Sequence, residues 1–408
     1  MTPENTTFHS LGITPKILEV LDREGFTTPT PIQLSSIPAG IDGKDIIGIA
    51  QTGTGKTLAF GIPMMQTLMQ KGGRGLIILP TRELALQVEE ALRPIGQAVG
   101  IGMAVFIGGA SMHAQRLMLK RNPRILIVTP GRLIDHLERN TVTLHEVNVL
   151  ILDEADRMLD MGFAPQVNKI LKVVPTERQT MLFSATMPAA IARIAQDHMK
   201  LPLRVEVAPS GTTAARVHQE VLIVHRQDRD KHLALLLEKH KGSVLVFSRT
   251  KHGAKKLKKT VDTMGFPAAE IHANRSLPQR KEALAGFKSG RYRVLIATDI
   301  AARGIDVEGI ELVVNYDLPQ NPEDYVHRIG RTGRAGREGT AVSFALPDQR
   351  SDIRSIERLI RATLPITHAP GIVPIERVAV SHSPLHANRS TTDQGRRQRK
   401  WRRSSHRR

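Results

Sequence analysis

A chain of 408 residues with 40% hydrophobic content can build two or three domains, each with a core of its own. It has no cysteine, which excludes disulfides and thiolate metal sites, and with no signal-peptide pattern at its start and no run near the ~20 apolar residues of a membrane span, a soluble, cytoplasmic protein with no membrane partner is expected. A net charge of +19 calls for a polyanionic partner, nucleic acid first among them, while 3% aromatic residues argue against base stacking as the main contact.

In chain order, the strand-like run Asp45 to Ala50 leads into Ala50-Gln51-Thr52-Gly53-Thr54-Gly55-Lys56-Thr57 and then a helical pattern. Glycines at such a turn let backbone N–H groups converge on phosphate oxygens at a helix N-terminus, Lys56 adds a point charge, and Thr57 offers a hydroxyl to Mg²⁺. The strict phosphate-loop pattern begins with glycine, where this chain has Ala50. Upstream, Gly25-Phe26-Thr-Thr-Pro29-Thr-Pro-Ile-Gln33 suits adenine: a glutamine amide accepts and donates at once, and Phe26 offers a ring face. Together these segments call for ATP.

Further strand-like runs, Leu76 to Leu79, Met103 to Ile107, Ile125 to Val128, Val147 to Leu152 and Thr180 to Phe183, alternate with helical patterns, which implies a parallel sheet covered by helices. Behind Val147 to Leu152 stands Asp153-Glu154-Ala155-Asp156, in which Asp153 can hold the same Mg²⁺ through water and Glu154 can polarise an attacking water. Ala208 to Ala215 is small and flexible in composition and reads as a linker. A second strand series follows: Val221 to Val224, Val244 to Phe247, Ala268 to Ile271, Val294 to Ala297, Leu312 to Val314 and Ala341 to Ala345. The expected organisation is an α/β N-terminal domain over 1–207, a linker over 208–216, an α/β C-terminal domain over 217–365 and a basic tail over 366–408. The tail holds 10 Lys and Arg against 2 Asp and Glu and includes Arg396-Arg-Gln-Arg-Lys-Trp-Arg-Arg403. It cannot bury enough apolar surface to fold alone, so disorder is expected there.

The unusual segments fall just after strands, where open α/β sheets bind ligands. They are Pro80-Thr-Arg-Glu-Leu-Ala85, Gly108-Gly109, Thr129-Pro-Gly-Arg132 and Ser184-Ala-Thr186 in the first half. In the second they are Phe247-Ser-Arg-Thr250, Ala297 to Asp306, and His327-Arg-Ile-Gly-Arg-Thr-Gly-Arg334, whose three arginines are too irregular for one helical face and suit a loop that meets phosphates.

In the order and spacing of these motifs, residues 8 to 365 resemble the DEAD-box ATP-dependent RNA helicases, and the compact core with a short basic tail looks most like the bacterial RhlE-type members. The resemblance implies two RecA-like domains in tandem that close on ATP and RNA together. It makes Arg331 and Arg334 arginine fingers, Gly304 and Asp306 nucleotide contacts, Ser184 and Thr186 the coupling pair, and Phe8 an aromatic that precedes the adenine motif. The catalytic set is then Lys56, Asp153, Glu154, Arg331 and Arg334. RNA contacts fall to Arg82, Gly109, Thr129, Gly131 and Arg132, with Arg249, Thr250, Thr298 and Arg303, groups suited to phosphates and 2′-OH and poor at reading bases. One departure stands out: Leu277 occupies the place of a usual glutamine three residues before the retained Arg280. The leading expectation is RNA-stimulated ATP hydrolysis that separates short duplexes or remodels RNA–protein complexes. An ATP-gated clamp with little unwinding, a DNA-directed relative and a generic basic RNA-binding protein are the alternatives.

Overall fold

Short runs of Ile, Val and Leu form strands whose residues are buried on both faces, the pattern of parallel sheet between helical layers. A computed structural model describes residues 6–51, 53–207, 217–302, 307, 309–333 and 338–370. Expectations placed on Thr52, on 208–216, on Arg303, Gly304, Asp306 and Arg334, and on 371–408 with Trp401 lie outside the described residues.

The first sheet contains β1 (Ile46–Ile49), β2 (Arg74–Ile78), β3 (Met103–Phe106), β4 (Ile125–Val128), β5 (Val147–Asp153), β6 (Gln179–Ser184) and β7 (Leu203–Glu206). The second contains β8 (Val217–Ile223), β9 (Val244–Phe247), β10 (Ala268–Ile271), β11 (Val294–Ala297), β12 (Leu312–Asn315), β13 (Gly339–Ala345) and β14 (Ile366–His368). The strand orders are β3-β4-β2-β5-β6-β1-β7 and β10-β11-β9-β12-β13-β8-β14, the same topology twice, with every pairing parallel. This is the tandem RecA-like α/β architecture. Each sheet is covered on both faces, so each half has two apolar layers.

Two edge strands were not read from the sequence. In β7 only Val205 is buried, and β14 has no buried residue, so these two edges are held by backbone pairing and carry little apolar character, unlike the buried edge strand β10. β14 pairs with β8 through Ile366↔Val221 to His368↔Ile223, so the second sheet runs past residue 365, where the tail was expected to begin. The first strand of the second half also begins earlier than Val221, at Val217. No helix among the described residues is long and apolar enough to cross a membrane.

Candidate active site at the strand ends

The loop between β1 and the helix Lys56–Lys71 has Gly53 at φ +84° and Gly55 at φ +87°, left-handed conformations that favour glycine. A Cβ on Gly55 would also collide with the Gln33 carboxamide. Gln33 and Thr30 hold the loop from the neighbouring helix: Gln33 Nε2 donates to Gly55 O at 3.0 Å and Thr30 Oγ1 to Thr54 O at 2.7 Å. Thr54 Oγ1 donates to Gln51 O at 2.8 Å, and Ala50 N to Ser184 O at 3.0 Å across β6. Gln33 Oε1 accepts from Thr30 N at 2.9 Å, so one amide hydrogen and one lone pair remain for an adenine edge. Phe26 is 44% exposed, which leaves its ring face accessible, whereas Phe8 is buried in the core. Lys56 is buried, its Nζ 3.0 Å from Ala50 O, and Thr57 follows it in the first helical turn.

Asp153 ends β5, and Glu154 caps the helix Ala155–Asp160 at φ +52°. Burial pushes the Asp153 carboxyl up to about 6, against the pull of Lys56. Glu154 goes the other way: burial opposes its charge, but Arg157, Lys56 and Arg331 together hold it below the usual carboxylate range. Asp156 is the hub of a hydrogen-bond set. It accepts from Thr186 Oγ1 at 2.8 Å, from Thr186 N at 2.8 Å and from Ala185 N at 3.2 Å, while Asp156 N donates to Ser184 Oγ at 3.1 Å. Ser184 and Thr186 therefore tie the acidic turn to the end of β6.

The second half meets this site through the helix Pro322–Ile329 and the turn after it. His327 is pushed down to about 4, by burial and then by Arg157, so it is neutral at pH 7. The expected loop is in fact helical up to Ile329, because Pro322 opens a helix whose buried face includes Tyr325, Arg328 and Ile329. Arg328 does not face phosphates. It is 2% exposed, pairs with both Asp299 oxygens at 2.5 and 2.8 Å, donates to Asn315 and to Asp317 O, and lies over Phe247. Arg331, in the turn, is 3% exposed and near enough to Glu154 to stabilise its charge.

Of the residues expected to meet RNA, Arg82 begins the helix Arg82–Val99 with its guanidinium against Gly109, which has no side chain to obstruct it and stands at φ +76°. Thr129 and Gly131 lie at the start of the helix Pro130–Glu138, and the space a Cβ on Gly131 would occupy is open. The Arg132 guanidinium is largely committed, donating to Ala110 O at 2.9 Å and to Gln115 Oε1 at 3.1 Å and facing Asp135 at 3.4 Å, so it braces the Gly109–Ala110 turn. In the second half, Arg249 and Thr250 are exposed beside a groove of about 1020 Å³ that Arg226, Lys256 and Tyr316 also line. Thr298 stands at the end of β11, half-buried. Arg280 and Glu83 join the two halves, Nη2 to Oε2 at 2.9 Å with both side chains 9% exposed, and Leu277 packs against the apolar layer of the first half.

Sequence reasoning named Thr30, Asp156 and His327 only as members of their motifs, with no role in this site, and passed over Arg157. Only Thr30 left a usable signal, since Thr30 and Gln33 have the spacing of a helix capping box. Asp156 and His327 take their roles from contacts between distant segments, and Arg157 takes its role from Glu154 one turn before it.

Residues 30–194 match the DEAD/DEAH box helicase family, and residues 228–336 match the helicase conserved C-terminal domain. ATP-dependent RNA helicase CshA of Listeria monocytogenes is 44% identical over 368 residues, 90% of this chain and 71% of the relative. Among solved structures, S. cerevisiae Dbp5 bound to RNA and ADP BeF3 is 29% identical with a TM-score of 0.79, over 90% of this chain and 96% of that one. Mss116p bound to ssRNA and AMP-PNP is 28% identical with a TM-score of 0.82, over 89% and 80%. Bacillus subtilis and Geobacillus kaustophilus relatives carry the CshA name too, so the RhlE-type placement finds no support in them. With both family matches in chain order and this identity over nine-tenths of its length, the chain belongs to the DEAD-box ATP-dependent RNA helicases.

Proposed function

We propose that the chain binds ATP and Mg²⁺ on the first half, binds an RNA strand by its backbone across both halves, and hydrolyses ATP only when the halves meet. Hydrolysis then separates short duplexes or remodels RNA–protein complexes. The observation that carries this reading is that Arg331 and His327 of the second half line one small cavity with Arg157, which holds the Glu154 carboxylate of the first. A group supplied from one half to a carboxylate on the other makes turnover depend on closure. The likeness to relatives bound to RNA and to ADP BeF3 or AMP-PNP supports the same arrangement.

Asp153 and Thr57 fit magnesium. The Asp153 carboxyl is buried, and burial raises its pKa against the pull of Lys56; hard oxygen donors of this kind suit a small divalent cation that keeps several waters. Among the described residues no cluster of three or more acidic, His or Cys side chains could hold a metal alone, so phosphate oxygens would complete the shell. When bound, the ion neutralises charge on the β- and γ-phosphates. Lys56 and the loop N–H groups hold the phosphates, Glu154 takes a proton from the attacking water, and Arg331, with Arg334, stabilises the transferring group. The Asp156 set with Ser184 and Thr186 couples this turn to the rest of the first sheet.

Glu154→Gln tests the reading. It keeps the shape of the turn and loses the base, so ATP and RNA should bind and remain together while turnover falls at least a hundredfold. Turnover near the parent rate would refute it.

A further inference from the structure

Glu154 is set between β5 and a short helix in a left-handed conformation that strains any residue with a Cβ, so its side chain depends on what grips it. Lys56, Arg157 and Arg331 all favour its charge, and Asp153, Asp156 and His327 surround them. Two of the three cations have other work: Lys56 belongs to the phosphate loop and Arg331 comes from the second half. Arg157 differs from both. It lies one turn past Glu154 on the same short helix, its Nη1 donates to Glu154 Oε2 at 2.5 Å, and the two side chains are 2% and 5% exposed. Its Nη2 is buried without a hydrogen-bond partner, and its side chain lines a small cavity together with Phe247, Asp299, His327 and Arg331 of the second half.

We propose that Arg157 is a positioning residue for hydrolysis: by engaging Glu154 Oε2 it turns Oε1 toward the attacking water. In the step itself, the water oxygen bonds to the γ-phosphorus, its proton passes to Oε1, and the bond to the β-phosphate oxygen breaks with its electron pair leaving on ADP. Arg157 neither gains nor loses a proton. The unpartnered Nη2 is left for a water in the small cavity, which ties the position of the base to what fills the space between the halves.

This inference rests on Glu154 being the base, and the test separates the two. Arg157→Ala should lower RNA-stimulated kcat at least tenfold with KM for ATP within about threefold, and Arg157→Lys, which keeps the charge without the planar fork, should recover part of that loss. In a Glu154→Gln background neither change should lower the residual single-turnover rate further, because Arg157 acts only through Glu154. Thermal unfolding of each variant identifies any that fail to fold, and Arg157→Lys then carries the test. A KM rise that accounts for the loss would make Arg157 a phosphate ligand and overturn the proposal. So would a full further loss in the Glu154→Gln background, or Arg157→Ala at the parent rate beside an inactive Glu154→Gln. Glu154→Gln at the parent rate would instead remove the assignment of the base.

Discussion

Cutting the Arg280–Glu83 pair should weaken closure without touching the nucleotide loop. The pair spans the two halves at 2.9 Å, both side chains are 9% exposed, and Glu83 Oε1, Glu83 Oε2 and Arg280 Nε have no hydrogen bond to support them. Removing one partner of a fully buried pair costs about 3–5 kcal/mol because the other charge is stranded. Here the stranded charge regains water when the halves part, and the residual exposure screens it, so about 2–3 kcal/mol against the closed arrangement is the working figure. At 1.4 kcal/mol per tenfold, Arg280→Ala should lower the RNA dependence of turnover, kcat over the half-maximal RNA concentration, by about 30- to 150-fold. ATP affinity without RNA should stay within about threefold, because Lys56 and its loop belong to the first half alone. Steady-state ATPase against RNA concentration reads the first quantity, and fluorescent-nucleotide titration the second. Glu83→Arg combined with Arg280→Glu should recover a large part of the loss. Arg280→Ala within twofold of the parent in RNA dependence would refute the reasoning.

Arg331→Ala should cost at least about a hundredfold in RNA-stimulated turnover with little change in ATP affinity, since a finger acts mainly in the transition state; equal losses in binding and turnover would make it a ground-state ligand. Ser184→Ala with Thr186→Ala removes both hydroxyls from the Asp156 set and should depress strand separation far more than ATPase, measured on one duplex substrate. Leu277→Gln, which restores the residue usual in the family, should weaken RNA-dependent closure roughly fourfold, because the partly buried leucine packs against the apolar layer of the first half and burial of one methylene's worth of surface contributes about 0.8 kcal/mol; tighter RNA binding would refute that packing argument. Deleting residues 386–408 should leave basal ATPase intact and flatten the salt dependence of RNA binding, since each phosphate neutralised contributes ~0.7 to the slope on single strands. An unchanged slope would show that the basic tail adds no phosphate contacts.

The sequence by itself determined the tandem α/β architecture, the order of motifs and the family, because these rest on local properties. Apolar runs of fixed length make buried parallel strands, glycines at Gly53 and Gly55 mark a backbone that other residues resist, and a carboxylate pair behind a strand advertises its chemistry wherever the chain folds. Edge strands β7 and β14 were invisible because they pair by backbone with almost no residue buried, whereas the other two edges, β3 and β10, are packed under helices and kept an apolar signature. The tertiary structure alone decided how the arginines divide their work. Arg328 and Arg331 stand three residues apart in one motif, yet Asp299 and Asn315, far away in sequence, claim the first for the fold, while the second is brought within electrostatic reach of Glu154. Arg132 is likewise spent on Ala110 and Gln115. The partners of a charge are set by segments that meet only after folding, so a motif names the side chains of a site and the packing of the two sheets assigns them their tasks.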